Sequence, residues 1–258
     1  MGGQSNMLGA PALTALAALR SGAGLVKFVT DKKLLSNLLL LEPSATAVAL
    51  SDNTVNLEGV LAENDPDERG VLAVGPGMGK TPQSMARLLS LISTNRALVL
   101  DADALNLLAD SEQILEPSAA SRILTPHPGE FRRLAKSLNI ELGLVKTKHR
   151  VMAATALAKH HHAVVVLKGY QTIVASRTQC YVNQTGNCVL ATAGSGDVLT
   201  GIISSLIAQG LDGFEAAVLG VYLHGLASDL WVKKNGPVGL LARELADMLP
   251  TAIKKYSL

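Results

Sequence analysis

The stretch VLAVGPGMGK at residues 71–80 joins four consecutive aliphatic residues to a glycine-rich turn. A short apolar run closed in this way reads as a strand buried on both faces, the kind found in a parallel sheet covered by helices. The same unit recurs: Leu25–Thr30, Ala97–Leu100, Arg122–Thr125 and Ala163–Leu167 are further near-continuous apolar runs, with glycine, aspartate or proline at or just after their ends. Helical stretches separate them, at Pro11–Ser21, Pro82–Ser93, Ala104–Ala109, Pro128–Leu138, Lys146–His160, Val198–Gln209, Phe214–Lys233 and Gly239–Tyr256. That alternation predicts an α/β fold with a mostly parallel sheet. Thr172–Ala175 and Gln179–Asn183, on either side of Ser176–Arg177–Thr178, predict an antiparallel hairpin near one edge. Val198–Gln209 is small or apolar almost all round, which predicts an inner helix. The polar tract Ser51–Arg69 reads as a surface excursion. With 258 residues and no internal repeat or linker, residues 1–258 read as one domain.

Composition excludes several functions. The 23 basic and 21 acidic residues leave a formal charge of +2, and aromatics are 3% of the chain, which argues against a nucleic-acid partner and for a small molecule. Apolar segments such as Val198–Ala208 fall short of the ~20 residues that span a bilayer, so no membrane partner is expected. Met1–Ala10 is uncharged and glycine-rich, unlike a secretory signal, and Cys180 and Cys188 lack metal spacing. The two cysteines read as small core residues of a protein in the reducing cytoplasm. His160–His161–His162 reads as a solvated helix end, since adjacent helical residues point in different directions.

Chemistry is expected at the strand-end loops. In Ala193–Gly194–Ser195–Gly196–Asp197, small residues before the inner helix leave Gly194, Ser195 and Gly196 as an anion hole of backbone amides, with Asp197 as a base toward a hydroxyl beside the anion. A plain helix cap at Asp197 is the competing reading. Val74–Gly79 fails as a Walker A loop because Val74 stands where glycine is required, and as a dinucleotide fingerprint because Lys80 replaces the third glycine. Asp101 and Asp103 at one strand end fit either water-mediated magnesium binding or capping of the next helix. His127, held between Pro126 and Pro128, is a candidate ligand contact, and Lys168 after a buried strand is placed to reach phosphate oxygens. Gly2–Gly3 opens a loop with no strand in front of it, as in a chain that lacks its first strand.

Taken together and in order, Gly2–Gly3, Gly9–Ala10, Ala17–Val26, Gly75–Gly79, Asp101–Asn106, Thr125–Glu130, Leu167–Gly169 and Gly194–Asp197 closely resemble the ADP-dependent NAD(P)H-hydrate dehydratases, a branch of the ribokinase-like superfamily. The resemblance runs from Gly2 to about Leu249. It implies a three-layer α/β/α fold and a lyase that repairs the S form of 6-hydroxylated NADH or NADPH while splitting ADP, the phosphoryl donor, into AMP and phosphate. It places Ala10, Gly77, Gly79, His127 and Asp197 on the hydrated dinucleotide, with Asp197 catalytic. It places Lys168, Gly169, Tyr170, Gln171, Thr172 and Gly196 on the nucleotide. It also implies Mg2+ held through phosphates and water, a homotetramer, and pairing with an epimerase for the same damaged cofactor.

Two departures are visible: the family's leading strand before Gly2 is absent, and Gln4 stands where serine is frequent. A vitamin-type kinase of the same superfamily is the alternative enzyme. Such kinases resemble Thr-Pro-Asn where this chain has Thr125–Pro126–His127, and the thiazole branch has cysteine at the position of Asp197. A nucleotide-binding module without turnover is the alternative from outside the enzymes.

Overall fold

The computed structural model describes residues 1–51, 53–138 and 147–256. Lys146, Asp52 and the last two residues of the expected domain lie outside the described residues.

The four-residue aliphatic runs form the centre. Strands β3 (Val71–Val74), β4 (Ala97–Leu100), β5 (Arg122–Leu124) and β6 (Val164–Leu167) pair in parallel in that order. Strands β7 (Ile173–Ala175) and β8 (Cys180–Val182) add the antiparallel hairpin at one edge, as expected. Alternate side chains of these strands part to opposite faces. Leu98, Leu100, Leu124, Val165 and Leu167 face helices α4 (Pro82–Ile92), α5 (Asp103–Ser111), α6 (Pro128–Leu134) and α7 (Thr147–His160). Val99, Ile123, Val166 and Val174 face helices α8 (Ser195–Ala208) and α9 (Gly213–Asn235). Each fully buried aliphatic contributes about 1.5–3 kcal/mol, so the two-sided runs that identify these strands also hold the three layers together.

Helix α1 (Gly9–Arg20) crosses α8 so closely that Gly201 has Thr14 O and Ala17 against it, and α8 is buried along most of its length, as its composition predicts. Strands β1 (Lys27–Asp31) and β2 (Thr46–Leu50) form a separate parallel pair. Between β1 and β3 no described residue completes a continuous sheet, and a cavity of about 440 Å3 opens there, lined by Phe28, Val29, Val71, Leu72 and Ala73 among others. Met1–Gly3 runs beside the end of β3: Gly75 N–H donates to Met1 O at 3.1 Å, and Gly3 N–H to Pro76 O at 3.1 Å.

Several expectations are corrected. Residues 31–50 carry no sequence-based assignment, yet they include helix α2 (Lys32–Leu41) and β2. The tract Ser51–Arg69 is more than a surface excursion, because α3 (Glu58–Asn64) buries Leu57 and Leu61, and Arg87 and Arg96 reach out to anchor it. The single helix expected at Gly239–Tyr256 is two, α10 (Ala242–Asp247) and α11 (Leu249–Tyr256). Pro250 lacks an N–H and fits only a first turn, so the chain restarts there. The helix expected over Pro128–Leu138 ends at Leu134 and is followed by a 3-10 turn at Lys136–Leu138.

Cys180 and Cys188 are exposed, not core: one lies on the edge strand β8 and the other in the turn before α8. His161 is buried rather than solvated, because its N–H closes onto Leu157 O and the last turn of α7 tucks in before β6. Among the described residues no helix is long and apolar enough to cross a membrane.

Candidate active site

Parallel pairing puts the ends of β3 to β6 on one edge of the sheet, so the loops after them converge. Asp101 N–H donates to Val74 O at 3.0 Å, Thr125 N–H to Leu100 O at 3.1 Å and Lys168 N–H to Pro126 O at 2.9 Å, which extends the ladder into the loops themselves. Gly79 N–H donates to Asp103 Oδ2 at 2.8 Å and ties the glycine turn to the carboxylate loop.

The α8 helix begins three residues earlier than expected. Gly194 is its N-cap, at φ 87°, a left-handed conformation in which an added Cβ would also meet Leu13 Cδ1 at 2.6 Å. Asp197 is therefore in the first helical turn and is not the cap. Val198 N–H closes the first turn onto Gly194 O at 3.1 Å, so the amides of Gly196 and Asp197 precede the intrahelical ladder and carry the positive end of the helix dipole. Leu13 lies one turn beyond Ala10 on α1, which brings the start of α1 beside that of α8.

Lys168 reaches across to this helix start. Its Nζ lies 3.1 Å from where a Cβ on Gly196 would sit, and it donates to Asp101 Oδ1 at 2.7 Å. Glu130 Oε2 lies 3.9 Å away. Asp101 is 1% exposed, and its other oxygen accepts from Thr200 Oγ1 on α8 at 2.8 Å. Burial alone would raise the Asp101 carboxyl, but the Lys168 charge and the hydrogen bonds from Lys168, Thr125 and Thr200 outweigh it and hold it below the ordinary value. Lys168 is in turn held above its ordinary value against the opposing effect of burial, chiefly by Asp101 and Glu130.

Asp197 behaves differently. Burial first, and then the charge of Asp101, push its carboxyl up to about 7, with Lys168 opposing them. Two aspartates at one site are thus set apart, one firmly ionised as an anchor and one poised to exchange a proton near neutral pH. With a lysine ammonium and a helix amino end beside it, the arrangement suits transfer of an anionic group to a hydroxyl.

Of the other expected residues, His127 acts as the N-cap of α6. Its Nδ1 accepts from Gly129 N–H at 2.9 Å and Glu130 N–H at 3.4 Å, while Glu130 Oε2 accepts from His127 N–H at 2.8 Å. Nδ1 is therefore bare, and Nε2 carries the ring proton 3.3 Å from Glu130 Oε1. Burial and the charges of Lys168 and Arg133 lower the imidazole, which keeps it neutral. Gly169, Tyr170, Gln171 and Thr172 form a turn braced from below by the Arg150 guanidinium, which donates to the carbonyls of Tyr170, Gln171 and Leu167. The Tyr170 side chain stands exposed, and Gln171 accepts from Thr147 Oγ1 at 3.0 Å.

Asp101 does not cap α5 with its side chain. It anchors Lys168 and Thr200. Glu130 and Thr200 carried no role in the sequence. The spacing of His127 to Glu130, three residues apart at a helix start, is the one local signal that marks Glu130. Among the described residues no group of three His, Cys, Asp or Glu converges to hold a metal ion, and Asp101 and Asp103 are already engaged. The residues present therefore do not fit a protein cage for Mg2+.

The profile of the NAD(P)H-hydrate dehydratase family matches residues 1–251. The chain belongs to the NAD(P)H-hydrate dehydratase family. Within it, a Neisseria meningitidis relative named ADP-dependent (S)-NAD(P)H-hydrate dehydratase is 39% identical over 250 residues, covering 95% of this chain and 81% of the relative. A Moorella thermoacetica relative named bifunctional NAD(P)H-hydrate repair enzyme is 38% identical over 98% of this chain, which spans 48% of that protein. The chain is thus about half the length of the bifunctional members. The crystal structure of the ADP/ATP-dependent NAD(P)H-hydrate dehydratase from Bacillus subtilis, co-crystallized with ATP and Mg2+, superposes with a TM-score of 0.83 at 30% identity, covering 99% of this chain and 88% of that one. A ribokinase-like superfamily protein from Enterococcus faecalis superposes with a TM-score of 0.81 at 28% identity, over 99% of this chain and 85% of that one, which confirms the expected fold class for this dehydratase family member.

Proposed function

We propose that this protein dehydrates the S form of 6-hydroxylated NADH or NADPH, restoring the nicotinamide ring while ADP is split into AMP and phosphate. The observation that carries the reading is the pairing of Asp197, held near pH 7, with free amides at the α8 start and the Lys168 ammonium opposite. Family membership supplies the substrate class. In this reading Asp197 takes the proton of the 6-hydroxyl as that oxygen attacks the β-phosphorus. The bond from phosphorus to the AMP oxygen breaks, and a carbon–oxygen–phosphorus ester forms. Phosphate then departs with the carbon–oxygen bonding pair, and the ring regains its double bond by losing a neighbouring proton. Hydroxide is a poor leaving group, whereas phosphate held by helix-start amides leaves far more easily.

The same reading seats the hydrated dinucleotide at Ala10, Gly77, Gly79, His127 and Asp197. The nucleotide lies along Lys168, Gly169, Tyr170, Gln171, Thr172 and Gly196, and the migrating phosphoryl group in the cradle of Gly194, Ser195 and Gly196, where Ser195 N–H already donates to Thr192 O at 3.3 Å and the open amides are those of Gly196 and Asp197. Mg2+ would be held through the nucleotide's phosphates and water, where it would neutralise their charge. A cytoplasmic homotetramer working beside an epimerase completes the proposal, and the double length of relatives named bifunctional supports such a pairing. The test supplies hydrated NADH with ADP and, separately, with ATP, and follows recovery of nicotinamide absorbance together with AMP or ADP release. Recovery with either donor is expected. A folded protein that restores nothing with both donors refutes the assignment.

A further inference from the structure

The segment leading into α8 is held from one face of α9. Asn183 Nδ2 donates to Val221 O at 3.2 Å and Thr185 Oγ1 to Tyr222 O at 2.9 Å. Asp229 accepts from Gly186 N–H at 2.9 Å and from Asn187 Nδ2 at 2.8 Å. The last contact in this row is His224, whose Nε2 lies 2.9 Å from Ser195 O and 3.1 Å from Ser195 Oγ. A carbonyl can only accept, so Nε2 carries the ring proton and donates to Ser195 O. Both residues are buried, and burial keeps the imidazole neutral, so the contact does not change with pH in the working range.

Ser195 is the first residue of α8 and stands between Gly194 and Gly196, neither of which has a side chain to hold it in place. Within the turn Ser195 N–H donates to Thr192 O at 3.3 Å, and His224 supplies the side-chain tether from outside it. Asp197 and the amides of Gly196 and Asp197 follow directly along the chain, so their direction is set by how Ser195 is fixed.

We propose that His224 is a positioning residue that aims the amide cradle and Asp197 at the transferred phosphoryl group by clamping the Ser195 carbonyl. The kinetic consequence rests on the reaction proposed above, whereas the consequence for anion binding does not.

The test uses the full chain with His224→Gln, His224→Asn and His224→Leu. Glutamine carries an amide nitrogen to about the reach of Nε2, and asparagine stops short of it. Affinity for inorganic phosphate is measured by calorimetry, and kcat and KM are measured with hydrated NADH and ADP. Leu and Asn are expected to weaken phosphate binding roughly tenfold and to lower kcat about 10–100-fold, with KM for the hydrated dinucleotide changed less than about twofold. Gln is expected to restore both to within about threefold of wild type. A role limited to core packing would not separate Gln from Asn in kcat. Asn and Gln behaving alike, Leu keeping wild-type affinity and kcat, or a wild-type chain that binds no phosphate each overturns the proposal. If Leu fails to fold, the comparison of Asn with Gln decides. If wild type binds phosphate but does not act on hydrated NADH, the reaction assignment falls and the phosphate series alone judges His224.

Discussion

Replacing Asp197 by asparagine should abolish turnover and at the same time stabilise the fold. The Asp197 carboxyl rises from 3.8 to about 7 because burial and the Asp101 charge oppose its ionisation in the folded chain. Its folded pKa is above its unfolded one, so the stability it contributes is fully present below about 3.8 and is lost as pH rises to about 7. At about 1.4 kcal/mol per pH unit, the raised carboxyl costs the native state up to about 4 kcal/mol at pH 8, where it is ionised, and roughly 2 kcal/mol at pH 5, where folding must protonate it. Asparagine has similar size and no charge to desolvate. Urea unfolding of the two proteins should therefore differ by about 4 kcal/mol at pH 8, with the gap narrowing by roughly half at pH 5. Turnover should fall at least about 100-fold, the scale of a lost general base, while nucleotide affinity is retained. Wild-type rates should rise with pH through about 7 as Asp197 ionises. Equal stability at both pH values would show that the charge is not held against its preference, and undiminished turnover would remove the base.

Lys168→Met leaves the buried Asp101 charge without its partner and should cost about 3–5 kcal/mol in urea unfolding. Adding Asp101→Asn should recover most of that loss, and a double variant no more stable than the single one would deny the pairing. Gly201→Ala places a Cβ 2.2 Å from Thr14 O and must push α1 off α8, so a loss of about 1–3 kcal/mol is expected and an unchanged denaturation midpoint would contradict the close crossing. Burial, with smaller contributions from His160 and His162, lowers His161 from 6.5 to about 4, so its contribution to stability is present above 6.5 and lost as pH falls toward 4. Comparing His161→Leu with wild type by thermal melts between pH 7 and 4 should remove up to about 3 kcal/mol of acid sensitivity, and parallel melting curves would argue against it.

The strands at Val71–Val74, Ala97–Leu100 and Val164–Leu167 were legible because burial on both faces demands unbroken aliphatics, which leaves a local mark. Thr46–Leu50 carries alanine at two of its five positions and lies in a two-stranded pair, so no such mark exists. In Lys32–Leu41 six leucines surround the helix but only Leu34 and Leu38 are buried, and neighbouring contacts alone decide which. The loops of the site were legible as glycine, proline and aspartate at strand ends. Their wiring was not: Asp101 meets Lys168 across 67 residues and Thr200 across 99, distances at which no spacing rule operates. The capping role of His127 was hidden because imidazole is not among the usual cap acceptors.

The gap beside β3 bears on how the molecule opens. Among the described residues no backbone ladder links the two sheets, and the outer pair is tied across by side chains, Arg87 to Asp31 at 2.7 Å and Lys27 to Asn64 O at 2.8 Å. Such a layer comes loose as a unit at lower free energy than the layered interior, so deuterium should enter the amides of 27–31 and 46–50 well before those of 98–100. Proteases would then cut within the outer pair first, while the layered interior around β4 and β5 keeps its amides protected.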